Sequence, residues 1–466
     1  MNRAYSFRMP KWEDAVMSAK ARAVREAFAL TDSESSRVVL RDVHLPSDGI
    51  VYVTGYSGTG KTTLLRQLRE DFPHSAALPE IEDPEARPID ILGGRPEDAV
   101  RCLCRAGLSE PRAFLTPYSF LSDGQKVRAR LALLLWRRPT RVIIDEFLSA
   151  LDRLTARVVA YNFQKWCRRL GIAATVATAH RDLLEPLAPD SVVDLDFHGC
   201  AENLQSKASD CPVLPELEEV EVGLGQRQDC LSLVDRFHYR RLREHLVDWK
   251  SAQIRVARYR GKVIGAAVYN RPFPHSFVRM SFFRELNSHV LNCFRVVIHP
   301  IFRGVGLLAK LEPLPDSETT VVTSVSTFEV YFPFHLSVGY LPGNDPLTHK
   351  SRAQEELEDF LQEHGGVSFR ELRRPETAEA FFASLRYREQ REIRRLTARI
   401  VTKRHVDYCL YLCKLIDVSV EALGGDMQEL EDFFGHHARV GAENAPGQIL
   451  ASSLFFPMSS FYKRVR

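Results

Sequence analysis

The sequence has no long apolar run. Its longest aliphatic stretches, such as residues 131–136, are far shorter than the roughly 18 residues that a membrane-spanning helix needs. The N-terminal residues also lack the apolar region of a signal peptide. We therefore expect a cytoplasmic chain that does not cross a membrane by itself.

Cysteine is scarce and scattered. Only Cys102 with Cys104, and Cys409 with Cys413, lie close together, and neither spacing is that of a zinc site. The net charge of +3 is close to zero for 466 residues, so charge alone predicts no polyanionic partner. We expect reduced thiols and two or three globular domains.

The sequence does contain a phosphate-binding motif. Residues 55–62 fit the pattern G-x-x-x-x-G-K-[ST] and follow a strand-like apolar run at 50–54. In such a loop, glycines let backbone N–H groups surround phosphates, Lys61 reaches the β- and γ-phosphate oxygens, and Thr62 ligates Mg²⁺. The predicted ATP-binding residues of this loop are Gly55, Tyr56, Ser57, Gly58, Thr59, Gly60, Lys61, Thr62 and Thr63.

Further segments follow the phosphate loop in a fixed order. Residues 121–125 read Leu-Ser-Asp-Gly-Gln, an apolar run ends in Asp145-Glu146, residues 149–152 read Ser-Ala-Leu-Asp, and His180 follows a second apolar run. Together with the loop, this order resembles the ABC ATPases. The resemblance implies that Asp145 binds Mg²⁺ beside Thr62, that Glu146 polarises the attacking water, and that His180 is the switch histidine.

The same resemblance implies a homodimer that holds two ATP molecules. In that family the signature serine acts on ATP bound to the opposite protomer, which adds Ser122, Gly124, Gln125 and Asp152 to the ATP-binding residues. Two features depart from the family pattern: Asp123 replaces a glycine, and no glutamine stands between Gln67 and Gln125, which leaves Glu80 or Glu82 as substitutes. Phe28 and Phe7 are candidates for stacking on adenine, with a core position as the alternative.

A second domain is predicted after a segment rich in Glu, Pro and Gly. Residues 229–247 have the apolar spacing of a helix, and residues 253–259 and 263–269 that of a hairpin. A strand-like run at 294–300 then leads into Arg303-Gly-Val-Gly306. Glycines in such a turn let backbone amides approach a pyrophosphate at a helix start.

This strand and turn, with the hairpin before it and His335 to Tyr340 after it, resemble the GNAT acyltransferases. The resemblance implies that acyl-CoA binds at Val297, Ile298, Arg303, Gly304, Val305, Gly306 and Leu307. It aligns His335 with the residue that protonates the departing thiolate, although a lone histidine beside Phe and Leu is more often a satisfied structural residue. The turn departs from the family in having Ile301 where a polar residue is usual.

The two halves together are similar to ABC-type ATPases fused to a predicted acetyltransferase domain, and the second half is faintly similar to the phage Mom proteins, which modify adenine in DNA. His238 and Tyr239 are then acceptor-side candidates, or packing residues of a helix.

The last part of the chain matches no family that we can name. Residues 351–364 and 375–416 are predicted helices. The stretch 370–404 carries eleven Lys and Arg residues against five Glu, which fits either a phosphate-binding face or a solvated helix.

The predicted fold class is therefore α/β, with an ABC-type P-loop ATPase domain and an α+β GNAT-like domain that carries a helical extension. The predicted boundaries are residues 1–205 for the ATPase, 206–228 for a linker, 229–345 for the acyltransferase and 346–466 for the extension. The predicted function is ATP hydrolysis coupled to acyl transfer from acetyl-CoA or another acyl-CoA to a nucleic acid, DNA or RNA. The alternatives are a docking or sensing module without catalysis, and acetylation of a protein or small amine.

Overall fold

The computed structural model divides the chain into two compact units. The first contains Met1–Glu221, Tyr259–Lys262 and Ile298–Leu307, and the second contains Val222–Arg258, Val263–Val297 and Leu308–Arg466. The structure describes residues 2–8, 17–30, 38–198, 200–204, 212–238, 247–273, 277, 280–326, 328–364, 371–454 and 458–465.

The first unit alternates strands and helices, the pattern of a parallel sheet covered by helices. Its strands are β1 (Asn2–Arg8), β2 (Val38–Pro46), β3 (Ile50–Gly55), β4 (Arg141–Ile144), β5 (Ala173–Ala177), β6 (Ser191–Leu195) and β7 (Ala201–Leu204). Its helices are α1 (Ala19–Ala27), α2 (Lys61–Asp71), α3 (Pro88–Ile91), α4 (Pro96–Arg105), α5 (Pro111–Leu115), α6 (Asp123–Trp136), α7 (Arg153–Leu170) and α8 (Leu184–Leu187).

The sheet of the first unit has the order β4-β5-β3-β6-β7, and a separate antiparallel pair is formed by β1 and β2. Strand β3 pairs in parallel with β5 and β6, and all six of its residues are buried. This explains why its sequence is a continuous apolar run and does not alternate. The carboxyl ends of β3, β4 and β5 meet at one edge, where the loops that follow them come together.

Side chains from both faces of this sheet form the core of the unit. Leu64, Leu65 and Leu68 of α2 lie on one face of the helix and pack in a buried cluster with Val51 and Val53 of β3. Helix α2 is therefore fixed against the strand that precedes the phosphate loop.

The second unit combines a mixed sheet with long helices. Its strands are β8 (Val220–Leu224), β9 (Gln253–Tyr259), β10 (Lys262–Asn270), β11 (Val290–Ile298), β12 (Val321–Ser326), β13 (Leu341–Pro342) and β14 (Ser459–Arg464). Its helices are α9 (Arg227–Phe237), α10 (Ser281–His289), α11 (Leu307–Lys310), α12 (Arg352–His364), α13 (Pro375–Ser384), α14 (Tyr387–Ile416), α15 (Met427–Asn444) and α16 (Pro446–Ser453).

The sheet of the second unit has the order β13-β14-β12-β11-β10-β9-β8. Strands β11 and β12 pair in parallel over four residue pairs, from Val290↔Val321 to Cys293↔Ser324, although β11 continues to Ile298. On its other side β12 pairs with β14 in antiparallel fashion. The ladder between β11 and β12 therefore ends at Cys293↔Ser324, before β11 itself ends.

The secondary structure differs from the expected boundaries at two places. The segment predicted as a linker contains β8, and the segment predicted as a helical extension ends in β14, which lies inside the sheet between β12 and β13. The extension is thus an insertion between two strands of one sheet. Strand β14 is short, and apolar and polar residues alternate only weakly along it, so the sequence alone does not predict it.

Within the described ranges, we find no helix that combines the length and the apolar composition required to cross a bilayer.

Candidate functional site

The phosphate loop joins β3 to α2 through glycines with left-handed backbone. Gly60 has φ 97° and precedes the first helical residue, Lys61, while a Cβ added to Gly55 would lie 2.5 Å from the carbonyl oxygen of Leu195. Both positions therefore require glycine. Lys61 is 7% exposed, and its Nζ donates to the carbonyl oxygens of Gly55 at 2.8 Å and Tyr56 at 2.7 Å. The ammonium is held over the loop.

A second pair of groups meets at the ends of α2 and β4. Thr62 Oγ1 donates to Asp145 Oδ2 at 2.7 Å. Hydroxyl and carboxylate oxygens are the ligands that Mg²⁺ prefers, and it binds with few protein ligands so that phosphates and water complete its shell. The two oxygens thus fit a magnesium site beside the loop.

The backbone after Asp145 is strained. Glu146 and Leu148 have φ of 49° and 57°, values that residues other than glycine rarely adopt. Between them Phe147 is 1% exposed, and its N–H donates to the Ala177 carbonyl oxygen at 2.8 Å. Because Phe147 is anchored in the core, its two neighbours are held in the left-handed region.

The carboxylate of Glu146 is held by a hydroxyl network that the sequence reasoning missed. Ser149 Oγ donates to Glu146 Oε2 at 2.7 Å, and Ser149 Oγ lies 3.3 Å from Thr178 Oγ1. Thr178 Oγ1 also accepts from the backbone N–H of His180 at 3.3 Å. Glu146 and His180 are therefore connected through two hydroxyls. The only sequence signal was a threonine directly after β5.

The buried Tyr52 on β3 supports the His180 loop, because its hydroxyl donates to the His180 carbonyl oxygen. Burial raises the pKa of Tyr52, so the hydroxyl stays protonated and remains a donor.

The predicted signature segment begins helix α6. Ser122 caps the helix: its Oγ accepts from Gln125 N at 3.3 Å, and Gln125 Oε1 accepts from Ser122 N at 3.1 Å. Gln125 Nε2 also donates to Glu110 Oε2 at 2.9 Å. Ser122 is exposed at the positive end of a helix. Asp152 caps α7 in the same way, accepting from Thr155 N at 3.0 Å.

An exposed aromatic pair lies at the phosphate loop. The rings of Tyr56 and Phe197 are stacked with centroids 4.7 Å apart, and the residues are 61% and 66% exposed. Phe197 was not expected from the sequence. Of the two adenine candidates, Phe7 packs against the core of the first unit and Phe28 is exposed.

The two residues considered for the missing glutamine are both on the surface. Glu80 forms an ion pair with Arg130 of α6, and Glu82 is exposed.

The Arg-Gly-x-Gly turn of the second half packs within the first unit. A Cβ on Gly304 would lie 2.9 Å from Asn162 Oδ1, so this glycine is required by a neighbouring side chain. A Cβ on Gly306 would meet nothing within 4 Å, and its φ is 88°. The two glycines therefore have different environments, and only Gly306 faces open space.

The predicted acyl-CoA residues Val297 and Ile298 are the last two residues of β11, while Val305 and Leu307 are buried on either side of Gly306.

His335 lies in a buried polar cluster of the second unit. Its Nδ1 is 2.7 Å from Glu329 Oε2, and its backbone N–H donates to Glu329 Oε1 at 2.8 Å. The imidazole also contacts the Tyr340 ring, with centroids 4.7 Å apart. These contacts fit the structural alternative for His335. Burial raises the pKa of the Tyr340 hydroxyl. Burial also raises the pKa of the Glu312 carboxyl, although the nearby charge of Lys463 acts to lower it.

The acceptor-side candidates are only partly described. His238 is the C-cap of α9, and its N–H donates to the Val234 carbonyl oxygen at 3.0 Å. Tyr239 lies outside the described residues.

Comparison of the sequence with curated proteins finds import ATP-binding proteins. The chain is 34% identical over 199 residues to the aliphatic sulfonates import ATP-binding protein SsuB 2 of Pseudomonas fluorescens, covering 35% of this chain and 72% of that protein. It is 36% identical over 154 residues to the SsuB protein of Escherichia coli, covering 27% of this chain and 60% of that protein, less than two thirds of its length. No family model matches the sequence.

Similar solved structures include the dimeric structure of MJ0796, a bacterial ABC transporter cassette. It is 17% identical, with a TM-score of 0.33, and the match covers 43% of this chain and 97% of that one. The ATP-binding subunit of an ABC transporter is 20% identical, with a TM-score of 0.30, over 36% of this chain and 84% of that one.

Proposed function

The chain belongs to the family of ABC-type ATP-binding proteins, and from this membership we propose that it binds ATP with Mg²⁺ and hydrolyses it as a homodimer. The observation that carries the proposal is the contact of 2.7 Å between Thr62 Oγ1 and Asp145 Oδ2, with Glu146 as the next residue. Release of inorganic phosphate from ATP by the purified protein tests it, and no release in the presence of Mg²⁺ would contradict it.

The phosphate loop residues bind and orient the triphosphate. Lys61 exchanges the carbonyl oxygens of Gly55 and Tyr56 for phosphate oxygens, and the start of α2 offers its backbone N–H groups to the same charge. Thr62 and Asp145 hold Mg²⁺. When bound, the ion neutralises charge on the phosphates.

Glu146 acts as the base for the attacking water. Its carboxylate is oriented by Ser149, and its backbone N–H donates to Asp145 Oδ1 at 3.0 Å, so the base is tied to the magnesium ligand. Phosphoryl transfer depends on positioning and on charge more than on covalent chemistry. Glu146 meets the requirement for positioning because both its backbone N–H and its carboxylate are hydrogen-bonded. His180, whose backbone N–H donates to Thr178, is the switch residue.

The exposed signature serine supports the homodimer. Ser122 stands at the N-terminus of α6, where a helix attracts negative charge, and it is open to a second copy of the chain. We expect it to contact the γ-phosphate held by the partner protomer. Asp123 in the first turn adds a like charge beside that phosphate, which opposes tight closure.

For the second half we propose acyl transfer from acyl-CoA, coupled to the ATPase. Two observations support this function. Gly306 has a left-handed backbone that faces open space, and the ladder between β11 and β12 stops at Cys293↔Ser324 while β11 continues. Val297 and Ile298 lie past the end of that ladder, where the amides of a CoA arm would meet the strand, although the Ile298 carbonyl oxygen already accepts from Arg303 Nε. The backbone amides of the turn would meet the pyrophosphate.

We predict that Gly306→Val abolishes acetyl-CoA binding and leaves ATP hydrolysis nearly unchanged. A branched side chain at φ 88° is strained and fills the space beside the turn. Calorimetry with acetyl-CoA measures the binding, and Ile301→Ala in the same turn is the control.

Absence of acetyl-CoA binding by the wild-type protein, with and without ATP, would contradict the acyltransferase. That result would favour the alternative, in which the second unit docks or senses a partner without catalysis.

The acceptor that we propose is a nucleic acid. A groove of about 770 Å³ runs between α14 and α15, and it is lined by six cations: Arg391, Arg394, Arg395, Arg399, Lys403 and Arg439. Four of them lie four residues apart along α14, so neighbouring cations are separated by about 6 Å along the helix axis. Two nucleotides of one duplex strand rise by a similar distance, since each rises by about 3.4 Å. A regular row of phosphates therefore fits this row of cations.

Several of these cations have partners in the protein, among them Lys403, which pairs with Asp407 at 3.1 Å, and Arg394, whose guanidinium lies over the Phe382 ring. Arg395 and Arg399 form exposed ion pairs with Glu392 and Glu356, and such pairs contribute little and exchange readily. In the described part of the chain, Arg391 and Arg439 have no ion-pair partner. The groove also contains the carboxylates Asp407, Glu431, Asp432 and Glu443, whose negative charges repel phosphates and oppose this contact.

We predict that DNA or RNA binding weakens steeply with salt, with a log–log slope of about −0.9 per duplex phosphate neutralised. Replacing Arg391, Arg394 and Arg395 with Gln is expected to flatten the slope. Titrations of a fluorescent oligonucleotide at several salt concentrations measure it.

The matched control replaces Lys20, Arg22 and Arg137 with Gln, since these are three exposed cations elsewhere. Equal slopes for the two triple variants would assign the groove cations to ordinary solvated surface.

A further inference from the structure

A segment of ten residues, which starts at the last residue of β11, packs within the first unit. Residues Ile298–Leu307 belong to the first unit, whereas the chain immediately before and after them belongs to the second. Within this segment, the Arg303 guanidinium donates hydrogen bonds to other residues of the first unit.

Arg303 holds the loop that precedes α5. Its Nη1 donates to the Ser109 carbonyl oxygen at 2.6 Å and lies 3.1 Å from Ser109 Oγ, while its Nε donates to the Ile298 carbonyl oxygen at 2.8 Å. Burial lowers the pKa of the guanidinium, and the Glu110 carboxylate opposes this. A partly buried guanidinium needs such partners, so Arg303 and residues 109–110 keep one another in place.

Glu110 connects this loop to the signature segment. Its carboxylate accepts from Gln125 Nε2 at 2.9 Å, and Gln125 forms the capping box with Ser122. Arg303 thus reaches the serine that we expect to contact ATP by way of Ser109, Glu110 and Gln125.

The turn is also fixed to α7, the helix that Asp152 caps. Asn162 Nδ2 donates to the Arg303 carbonyl oxygen at 3.3 Å, and Lys165 Nζ donates to that of Gly304 at 3.2 Å. The glycine at 304 permits this approach because any Cβ would collide with Asn162. These hydrogen bonds hold the backbone of the turn on α7 and so fix the position of the Arg303 side chain.

We propose that Arg303 is a positioning residue for ATP hydrolysis, which sets the signature segment through Ser109 and Glu110 and so makes the ATPase depend on a segment from the second half of the sequence. The inference rests on the proposed ATP hydrolysis. In this proposal Arg303 binds Ser109 of the ATPase, whereas the space beside Gly306 stays open to a ligand.

The test measures kcat and KM for ATP in the full-length protein. In Arg303→Ala we expect kcat to fall about tenfold or more, the range for loss of a hydrogen bond to a charged group. We expect KM to stay unchanged, because Lys61, Thr62 and Asp145 do not touch the turn. Arg303→Lys retains a charged donor for the Ser109 carbonyl oxygen and should restore part of kcat. Ile301→Ala serves as the control in the same turn.

A double-mutant cycle tests the route. Glu110→Ala should lower kcat as Arg303→Ala does. The double variant should have a kcat only slightly below that of either single variant, because both changes break the same connection between the turn and Gln125. Independent, additive losses would overturn the route through Glu110.

If Arg303→Ala does not fold, as judged by thermal unfolding and ATP calorimetry, Arg303→Lys and Glu110→Ala carry the test. A wild-type protein that does not hydrolyse ATP would overturn both this inference and the proposed function. Hydrolysis by the wild-type protein with equal kcat in the variants would overturn this inference alone.

Discussion

Glu146→Gln is expected to bind ATP and to stop hydrolysing it. The amide keeps the size of the side chain and its contact with Ser149, but it cannot take a proton from water. Loss of a general base lowers rates by about 10²- to 10⁴-fold. Because bound ATP then persists, an ATP-bound dimer should accumulate, which size-exclusion chromatography with ATP detects beside a phosphate-release assay.

Glu70→Gln is the matched control for this change, since Glu70 is an exposed glutamate at the end of α2. It should leave both turnover and oligomeric state as in the wild type. Undiminished turnover in Glu146→Gln would remove Glu146 from the role of base.

Lys61→Ala is expected to lose nucleotide binding itself. The Lys61 ammonium already donates two hydrogen bonds at the loop, at 2.8 and 2.7 Å, and phosphate oxygens take the place of these acceptors when ATP binds. A hydrogen bond between charged groups contributes about 1.5–3 kcal/mol. Loss of two such bonds corresponds to affinity that is weaker by about 100-fold or more. Calorimetry with ATP measures it.

Arg66→Ala removes an exposed cation from the same helix and should retain ATP affinity. An equal loss in both variants would indicate a general effect of charge on α2, and retained affinity in Lys61→Ala would contradict its role at the phosphates.

The features of this site that could be predicted are those whose residues lie together in one short segment of the sequence. The apolar run before Gly55 is strand β3, the helix begins at Lys61, and the resemblance to ABC ATPases is confirmed by the curated relatives. The turn of a phosphate loop is mostly local, because Lys61 donates to carbonyl oxygens only five and six residues before it. Its spacing alone therefore predicts both the chemistry and the turn.

The features that could not be predicted are contacts between distant residues. Ser149 and Thr178 meet because β4 and β5 are neighbours, and Arg303 meets Ser109 across 194 residues. Neither contact leaves a periodic pattern, since serine, threonine and arginine are common on surfaces. The Arg-Gly-x-Gly pattern predicted a ligand loop, and its glycine at 304 has a second physical reason in Asn162.

The position of the C-terminal stretch is set by the pairing of β14 with β12 and β13, which the sequence pattern did not predict. Within β14, Lys463 Nζ donates to Glu312 Oε2 at 3.3 Å and to the Val338 carbonyl oxygen at 2.9 Å.

The place of β14 between β12 and β13 has a consequence for biosynthesis. Residues 343–458 must leave the ribosome before β14 can pair with either neighbour, so the edge of β12 is unprotected for most of that interval. Exposed strand edges pair with other chains. The first unit is synthesised earlier and its parallel sheet needs none of those residues. Slow translation or a crowded ribosome should therefore cause aggregation through the second unit, while nascent chains already contain a folded ATPase.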